Sequence, residues 1–489
     1  MKSVVFIEPA AKLTNVFDSY MRMPLLGTLY LGTILHERGY DVRIYNENVL
    51  GRRVDPFEVQ ADVYCLSALT PSASRAKLLA GQLRASHPGA HIIVGGIHAS
   101  LLPDEFAGVA DHVVCGEAES IIEDLVEGRC TTPIVQGKMV EDLEALPPTN
   151  YGLVVGHEDM DTVPIMTSRG CPFDCNFCTV TRIFGRGYRM QSPARVLAEV
   201  KHALSYFTTR DVFFYDDNLT ANRQRIIELC ELLIAEGVDL RWTAQVRSDA
   251  ARDPELVRLM ARAGCRWVCV GFESIDDATL AALHKHQTRA DIERAIATFH
   301  DAGINVHGMF IFGEDHDTVT SLRRTVEITR EQRVDTAHFM ILTPFPGTRL
   351  YDDMVAANRI IHCNWDYYNG MFTVFPPRHM GPLRLQEETY RAYRDFYSPG
   401  RTSLELLGML GRVGLDALTW NFGAAGRHRF ESKVVRLGAT AIIGRYTPIQ
   451  EAYLRFLGEL ETQRVTGQAP AAPAAPAAGS GARVAAPTV

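Results

Sequence analysis

No stretch of this chain approaches the ~18–20 consecutive apolar residues that cross a bilayer, so no membrane-spanning helix is expected. An excess of positive charge is also missing. Fifty Lys and Arg face 58 Asp and Glu, for a net charge of −8, and a phosphate-binding surface needs the opposite balance. Nucleic acid is therefore not expected as a partner. The opening run Val4-Val5-Phe6-Ile7 is too short for a secretory segment and stops at Glu8; it reads as a first β-strand. There is no fixed-period repeat. The ten cysteines in 489 residues lack the density of a secreted disulfide scaffold. They suit a reducing cytoplasm and metal ligation.

The length predicts roughly two to four domains. Residues 1–130 alternate strand-like and helix-like segments. The expected strands are Ser3–Glu8, Asp41–Asn46, Asp62–Ala68, His91–Gly96 and His112–Glu117, with Asp41–Asn46 the weakest and nearest an edge. Such a series makes a doubly wound parallel α/β sheet. Residues 131–160 read as a connector, broken by Pro147-Pro148. A second series follows in 161–375, with strands at Val163–Ser168, Asp211–Tyr215, Leu240–Val246, Trp267–Glu273, Asn305–Phe312 and Thr336–Leu342. Six β/α units suggest a partial (β/α)6 barrel, with an open doubly wound sheet as the alternative. Residues 376–460 read as mainly helical. The Ala/Pro-rich tail 461–489 holds too few large apolar residues to fold.

The densest chemical signal is Cys171-Pro172-Phe173-Asp174-Cys175-Asn176-Phe177-Cys178, directly after the first strand of the second series. Three thiolates in a C-x3-C-x2-C loop at the mouth of a parallel sheet favour an iron–sulfur cluster or zinc. Structural zinc needs a fourth ligand, and neither His157 nor His202 has ligand spacing. A catalytic zinc on three thiolates stays open on the residues alone. Cys265 and Cys269 read as core cysteines of the fourth strand.

With an aromatic, Phe177, before its last cysteine, this loop resembles the signature of the radical S-adenosylmethionine (SAM) superfamily. The resemblance implies a [4Fe–4S] cluster on Cys171, Cys175 and Cys178, with the fourth iron left for SAM. It also implies SAM contacts from Phe177 and from the strand ends Asp216, Asp217, Gln245, Arg247, Glu273, Gly308, Phe312 and Gly313. Read without it, Asp216 and Asp217 fit helix caps and Glu273 a buried structural acid. Gly313-Glu314-Asp315 departs from the family's usual Gly-Phe-Asp at that place.

Residues 1–130 resemble the cobalamin-binding domain that precedes many radical SAM domains. The matching segments are Met23-Pro24-Leu25-Leu26-Gly27, Ser67-Ala68-Leu69-Thr70, Gly95-Gly96-Ile97-His98 and Gly116-Glu117-Ala118-Glu119. The resemblance implies cobalamin contacts from Leu26, Ser67, Leu69, Thr70, Gly95, Gly96, His98, Gly116 and Glu117. The Asp-x-His-x-x-Gly motif that supplies a histidine to cobalt is absent, so cobalt without a protein histidine is expected; His98 fits a loop or packing role better than a ligand. Together the two likenesses imply a 5′-deoxyadenosyl radical acting on an unactivated carbon. Methyl transfer from cobalamin to a lipid, isoprenoid or natural product is the leading outcome. Cyclisation, oxidation or carbon–carbon coupling is the alternative, and a non-catalytic sensor the remaining one. An electron donor such as flavodoxin or ferredoxin is implied as a partner. The basic, apolar segment 403–446 suggests peripheral membrane contact, against a plain core-facing helix.

Overall fold

The computed structural model describes residues 1–13, 22–398, 400 and 424–465. Its first sheet is built from β1 (Ser3–Glu8), β2 (Asp41–Asn46), β3 (Val63–Ser67), β4 (His91–Gly95), β5 (His112–Cys115) and β6 (Ile134–Gln136). All pairs are parallel and the order is β2-β1-β3-β4-β5-β6. The chain leaves β1 in one direction for β2 and returns to the other side for β3, which puts a switch point between β1 and β3. β2 is an edge strand, as its mixed sequence suggests. β6 comes from the expected connector; three residues are too few to show a period. β4 and β5 stop early because Gly96 and Gly116 turn into left-handed backbone, at φ +97° and +86°.

The second sheet contains β7 (Val163–Ile165), β10 (Asp211–Phe214), β11 (Arg241–Val246), β12 (Cys265–Glu273), β13 (Asn305–Phe312) and β14 (Thr336–Ile341). All are parallel and follow chain order, β7-β10-β11-β12-β13-β14. That sequential order settles the second domain as a partial barrel, since a doubly wound sheet would reverse. A separate two-stranded ribbon, β8 (Ser168–Arg169) with β9 (Arg189–Met190), is antiparallel.

Side-chain alternation separates the barrel wall's two faces. Trp242, Ala244, Val268, Val270, Phe310 and Phe339 are fully or almost fully buried against the helices. Their neighbours Thr243, Gln245, Trp267, Cys269, Met309 and Met340 line the inner face and stay half-buried. Cys265 is a core cysteine, completely buried; Cys269 faces inward instead.

Helix Pro382–Phe396 closes the outer side beside β14, and helix Ala424–Val465 packs on it. The latter continues five residues past the expected start of the tail. Residues 401–423 and 466–489, which hold much of the basic apolar segment and of the tail, lie outside the described residues. Among the described residues no helix is long and apolar enough to cross a membrane. The open edge of β14 is capped by Tyr397, whose hydroxyl donates to the Ala337 carbonyl at 2.7 Å and accepts from the Ala337 N–H at 2.9 Å. Tyr397→Phe leaves both backbone groups unpaired. It is expected to lower stability by about 1–3 kcal/mol, read from urea unfolding with an unchanged denaturant slope.

Candidate active site between the two sheets

The cysteine loop leaves the barrel through a narrow neck. β8 and β9 pair at its base, and a Cβ at Gly170 (φ +86°) would collide with the Gly187 carbonyl, so only glycine passes there. The loop is braced from the barrel side. Arg349 reaches the Asp174 carbonyl at 3.1 Å and its carboxylate at 2.8 Å. Asn176 donates to the Ala282 carbonyl at 3.1 Å, and the Arg247 guanidinium lies 3.7 Å over the Phe173 ring. Cys171, Cys175 and Cys178 are half-buried and unbridged. Burial raises the Cys171 thiol and pushes that of Cys178 up to about 12, and both feel the charge of Cys175. Bound metal reverses that tendency by holding thiolates. Among the described residues no three His, Cys, Asp or Glu side chains converge as ligands of a single ion. Three thiolates with one corner left open are what a cubane asks of a protein, whereas structural zinc takes four protein ligands.

The other strand ends divide sharply. Asp216 is fully buried and spent on structure: it accepts from the Thr167 N–H and hydroxyl, at 3.2 and 2.8 Å, and from Ser168. Asp217 has solvent access beside the cysteine loop yet stands among protein atoms that desolvate it; that and the neighbouring Asp216 push its carboxyl up to about 7. Gln245 is on the inner wall, 3.4 Å from the Asp216 carbonyl, and Phe177 is half-buried against the core. Gly308 is not on a ligand face: a Cβ there would meet Phe272, Phe310 and Val334 at 3.0–3.2 Å. Phe312 is likewise buried, against Phe339. Gly313 (φ +102°) has no room for a side chain beside Leu385, and its N–H is held by Asp317 at 2.8 Å.

Glu273 is the unexpected case. β12 carries a bulge where Gly271 and Glu273 pair with consecutive residues of β13, which re-aims the side chain. Glu273 has φ +60° and is 5% exposed. Its Oε1 accepts from Lys285 Nζ at 2.6 Å. Lys285 is itself buried and flanked by His284 and His286, both at φ +54°. Three left-handed non-glycine residues around one ion pair cost of order 1–3 kcal/mol each. Lys285 was not foreseen, because a lysine between two histidines has no sequence signature for such a backbone.

On the first sheet, the carboxyl edge carries Leu69, Gly95 and Gly116, all with some exposure. Leu26, Ser67 and Thr70 are buried behind it. Gly96 faces the protein: a Cβ would sit 2.8 Å from the Ala68 backbone. His98 is completely buried between Thr70, Glu105, Phe106 and Trp365, so it packs and does not reach the edge. Glu8, at the end of β1, accepts from the Leu25 N–H at 2.9 Å and from Thr28 and Asn46. Burial still pushes it up to about 7.

Glu117, expected at a macrocycle, is consumed by protein. Its carboxylate meets Arg169 at 3.1 Å and Arg189 at 2.6 Å, and accepts from the Val140 N–H at 2.6 Å. Arg169 also meets Glu119 at 2.7 Å. Arg169 and Arg189 sit opposite each other on the two strands of the ribbon at the loop's neck. The first sheet's β5 loop thus grips the base of the cysteine loop. Leu101 packs against Gly347, and Trp365 donates to Glu105 at 2.8 Å. These contacts turn the two carboxyl edges toward one another. Tyr215 stands between them, 38% exposed yet with a phenol raised by burial and by Glu8 across the gap.

Two measurements check this arrangement. Arg169→Met leaves Glu117 and Glu119 short of a buried partner and is expected to cost about 3–5 kcal/mol in chemical unfolding. For Glu8, the folded value near 7 lies above the ordinary 4.5. Its contribution is therefore full below about pH 4.5 and lost as pH rises through 7. Glu8→Gln should remove that loss, gaining on the native protein between pH 5 and 8 by up to about 3 kcal/mol.

Comparison with known proteins agrees with this geometry. The Radical SAM superfamily pattern matches residues 165–360, and the B12 binding domain pattern matches residues 14–126. The bacteriochlorophyllide d C-12(1)-methyltransferase of Chlorobaculum tepidum is 27% identical over 412 residues, 81% of this chain and 87% of the relative. The anaerobic magnesium-protoporphyrin IX monomethyl ester cyclase of Cereibacter sphaeroides is 26% identical, over 70% of this chain and 60% of its own. The cobalamin-dependent SAM radical enzyme OxsB, solved with aqua-cobalamin bound, superposes with a TM-score of 0.63 at 15% identity, over 96% of this chain and 82% of its own. The matched domains imply a [4Fe–4S] cluster, SAM and cobalamin. The chain belongs to the radical SAM superfamily and is one of its enzymes that carry a B12 binding domain.

Proposed function

We propose that this enzyme methylates an unactivated carbon of an apolar small molecule. The observation that carries the reading is the pair of facing carboxyl edges, with the cysteine loop on one and small-residue loops on the other, held together by buried ion pairs. When bound, the cluster and SAM supply hydrogen abstraction and the corrinoid supplies a methyl group. Cys171, Cys175 and Cys178 would hold the cluster, and Asp217, Gln245, Arg247 and Glu273 would face SAM. Leu69, Gly95 and Gly116 would border the corrinoid, with no histidine given to cobalt. Tyr215, Trp267, Met309 and Met340 form an apolar, polarisable inner wall suited to a ring system or lipid and to keeping water out.

A second reading, ring formation or oxidation without methyl transfer, has the support of the cyclase relative. We place the enzyme in the cytoplasm, with its cysteines unpaired and a flavodoxin or ferredoxin as electron donor. Membrane contact through 403–446 stays a proposal on sequence alone.

Anaerobic reconstitution should load about four irons and four sulfides per chain, and joint replacement of Cys171, Cys175 and Cys178 by Ala should abolish this. With methyl-labelled SAM, cobalamin and a reductant, the loaded enzyme should release 5′-deoxyadenosine and a labelled product. An unlabelled cyclised product would favour the second reading. Gly95→Trp should block cobalamin uptake and leave the iron content intact, because a Cβ there meets only Val114, at 3.8 and 3.9 Å.

A further inference from the structure

The inner face of the barrel changes character with depth. At the mouth it carries charge, on Arg247 and on the Glu273–Lys285 pair. Four residues lower on β12, roughly 13 Å at the rise of a strand, stands Cys269. Strand register puts it in one layer with Gln245 of β11, His307 of β13 and Thr336 of β14. This layer offers an amide, a thiol, an imidazole and a hydroxyl. Above it come Met309 and Met340. Among the described residues, no strand places an Asp, Glu, Lys or Arg on the inner face between that layer and the mouth.

Cys269, His307, Met309 and Met340 all keep accessible surface. Yet Cys269 and His307 are desolvated by the protein around them: burial pushes the His307 imidazole down to about 4 and the Cys269 thiol up to about 12. Surface that stays accessible inside a shell of protein atoms lines an internal space, and both groups are uncharged there at neutral pH. The His307 ring is also held in place. Its Nδ1 lies 2.8 Å from the Thr336 hydroxyl, and the His338 ring stands 6.3 Å away. A wall of this kind sorts ligands by the end that enters first. A hydrocarbon end displaces water from polar groups and gives them nothing in return. An ionised end sheds its own water and finds no counter-charge. A hydroxyl or a carbonyl meets both demands.

We propose that the barrel lumen receives an uncharged, hydrogen-bonding end of the substrate, which passes Met309 and Met340 and is read by the layer of Cys269, His307 and Thr336. This rests on the reading of the substrate as an apolar small molecule. The experiment is equilibrium dialysis of three probes of one shape against cluster- and cobalamin-loaded enzyme with SAM. The probes are farnesol, farnesoate and the hydrocarbon with hydrogen in place of the hydroxyl. Native enzyme should hold farnesol at least about tenfold more tightly than either of the others. His307→Phe keeps a ring in place and removes its nitrogens. It should bring the preference over the hydrocarbon below about threefold, with iron content and SAM binding unchanged. If that variant fails to fold, Thr336→Val, which releases the ring, must lose the preference instead. Cys269→Phe, which fills the lumen, should shut out all three probes. A preference that is absent from native enzyme or survives these ring variants, farnesoate held as tightly as farnesol, or entry of all three probes into Cys269→Phe overturns the inference alone. Native enzyme that binds none of the three overturns the reading of an apolar substrate beneath it.

Discussion

Arg169 and Arg189 occupy the two strands of a ribbon four residues in all, and both reach into the other domain for their counter-charges. Four charges buried together would be ruinous unless each were paired, and here Glu117 and Glu119 complete the set. The consequence is positional. The neck of the cysteine loop cannot shift against the β5 loop without stranding a charge in a low-dielectric interior. Whatever occupies the space between the sheets meets walls whose separation is set by ionic geometry, not by apolar contact, which tolerates sliding.

The wall opposite is shaped by a different device. Where the clamp relies on ideal pairing, the end of β12 relies on strained backbone. A bulge, three left-handed residues and a glycine with no room for a side chain deliver Glu273 and Lys285 to one spot. The favourable partners are strong enough to hold the unfavourable conformations, a balance typical of places that must keep one geometry.

Much of this was legible in sequence, and the failures have physical causes. The strands of both sheets show because runs of Val, Ile and Phe buried on both faces are distinctive. β6 escaped because a three-residue strand carries no periodicity. The cysteine loop was legible because three spaced thiols have few other uses. Glycines misled: Gly96 and Gly308 look like room for a cofactor, but the space they leave is filled by Ala68 and by Phe272 and Phe310. Acids misled in the same way. Asp216 and Glu117 stand at the right strand ends, yet their side-chain partners lie 48 to 72 residues away, and such pairing has no local sign. The burial of His98 has no local sign either, since it depends on Trp365, far along the chain.

The neck and braces of the cysteine loop bear on how the enzyme matures. Gly170 against Gly187, Arg349 on Asp174 and Asn176 on the Ala282 carbonyl hold the loop against the barrel. A zinc finger draws its folding free energy from the metal and is unfolded without it. This chain buries one continuous apolar core through both sheets, so the free energy of its folding does not have to come from three thiolates. Loss of the cluster would then cost chemistry before it cost the fold.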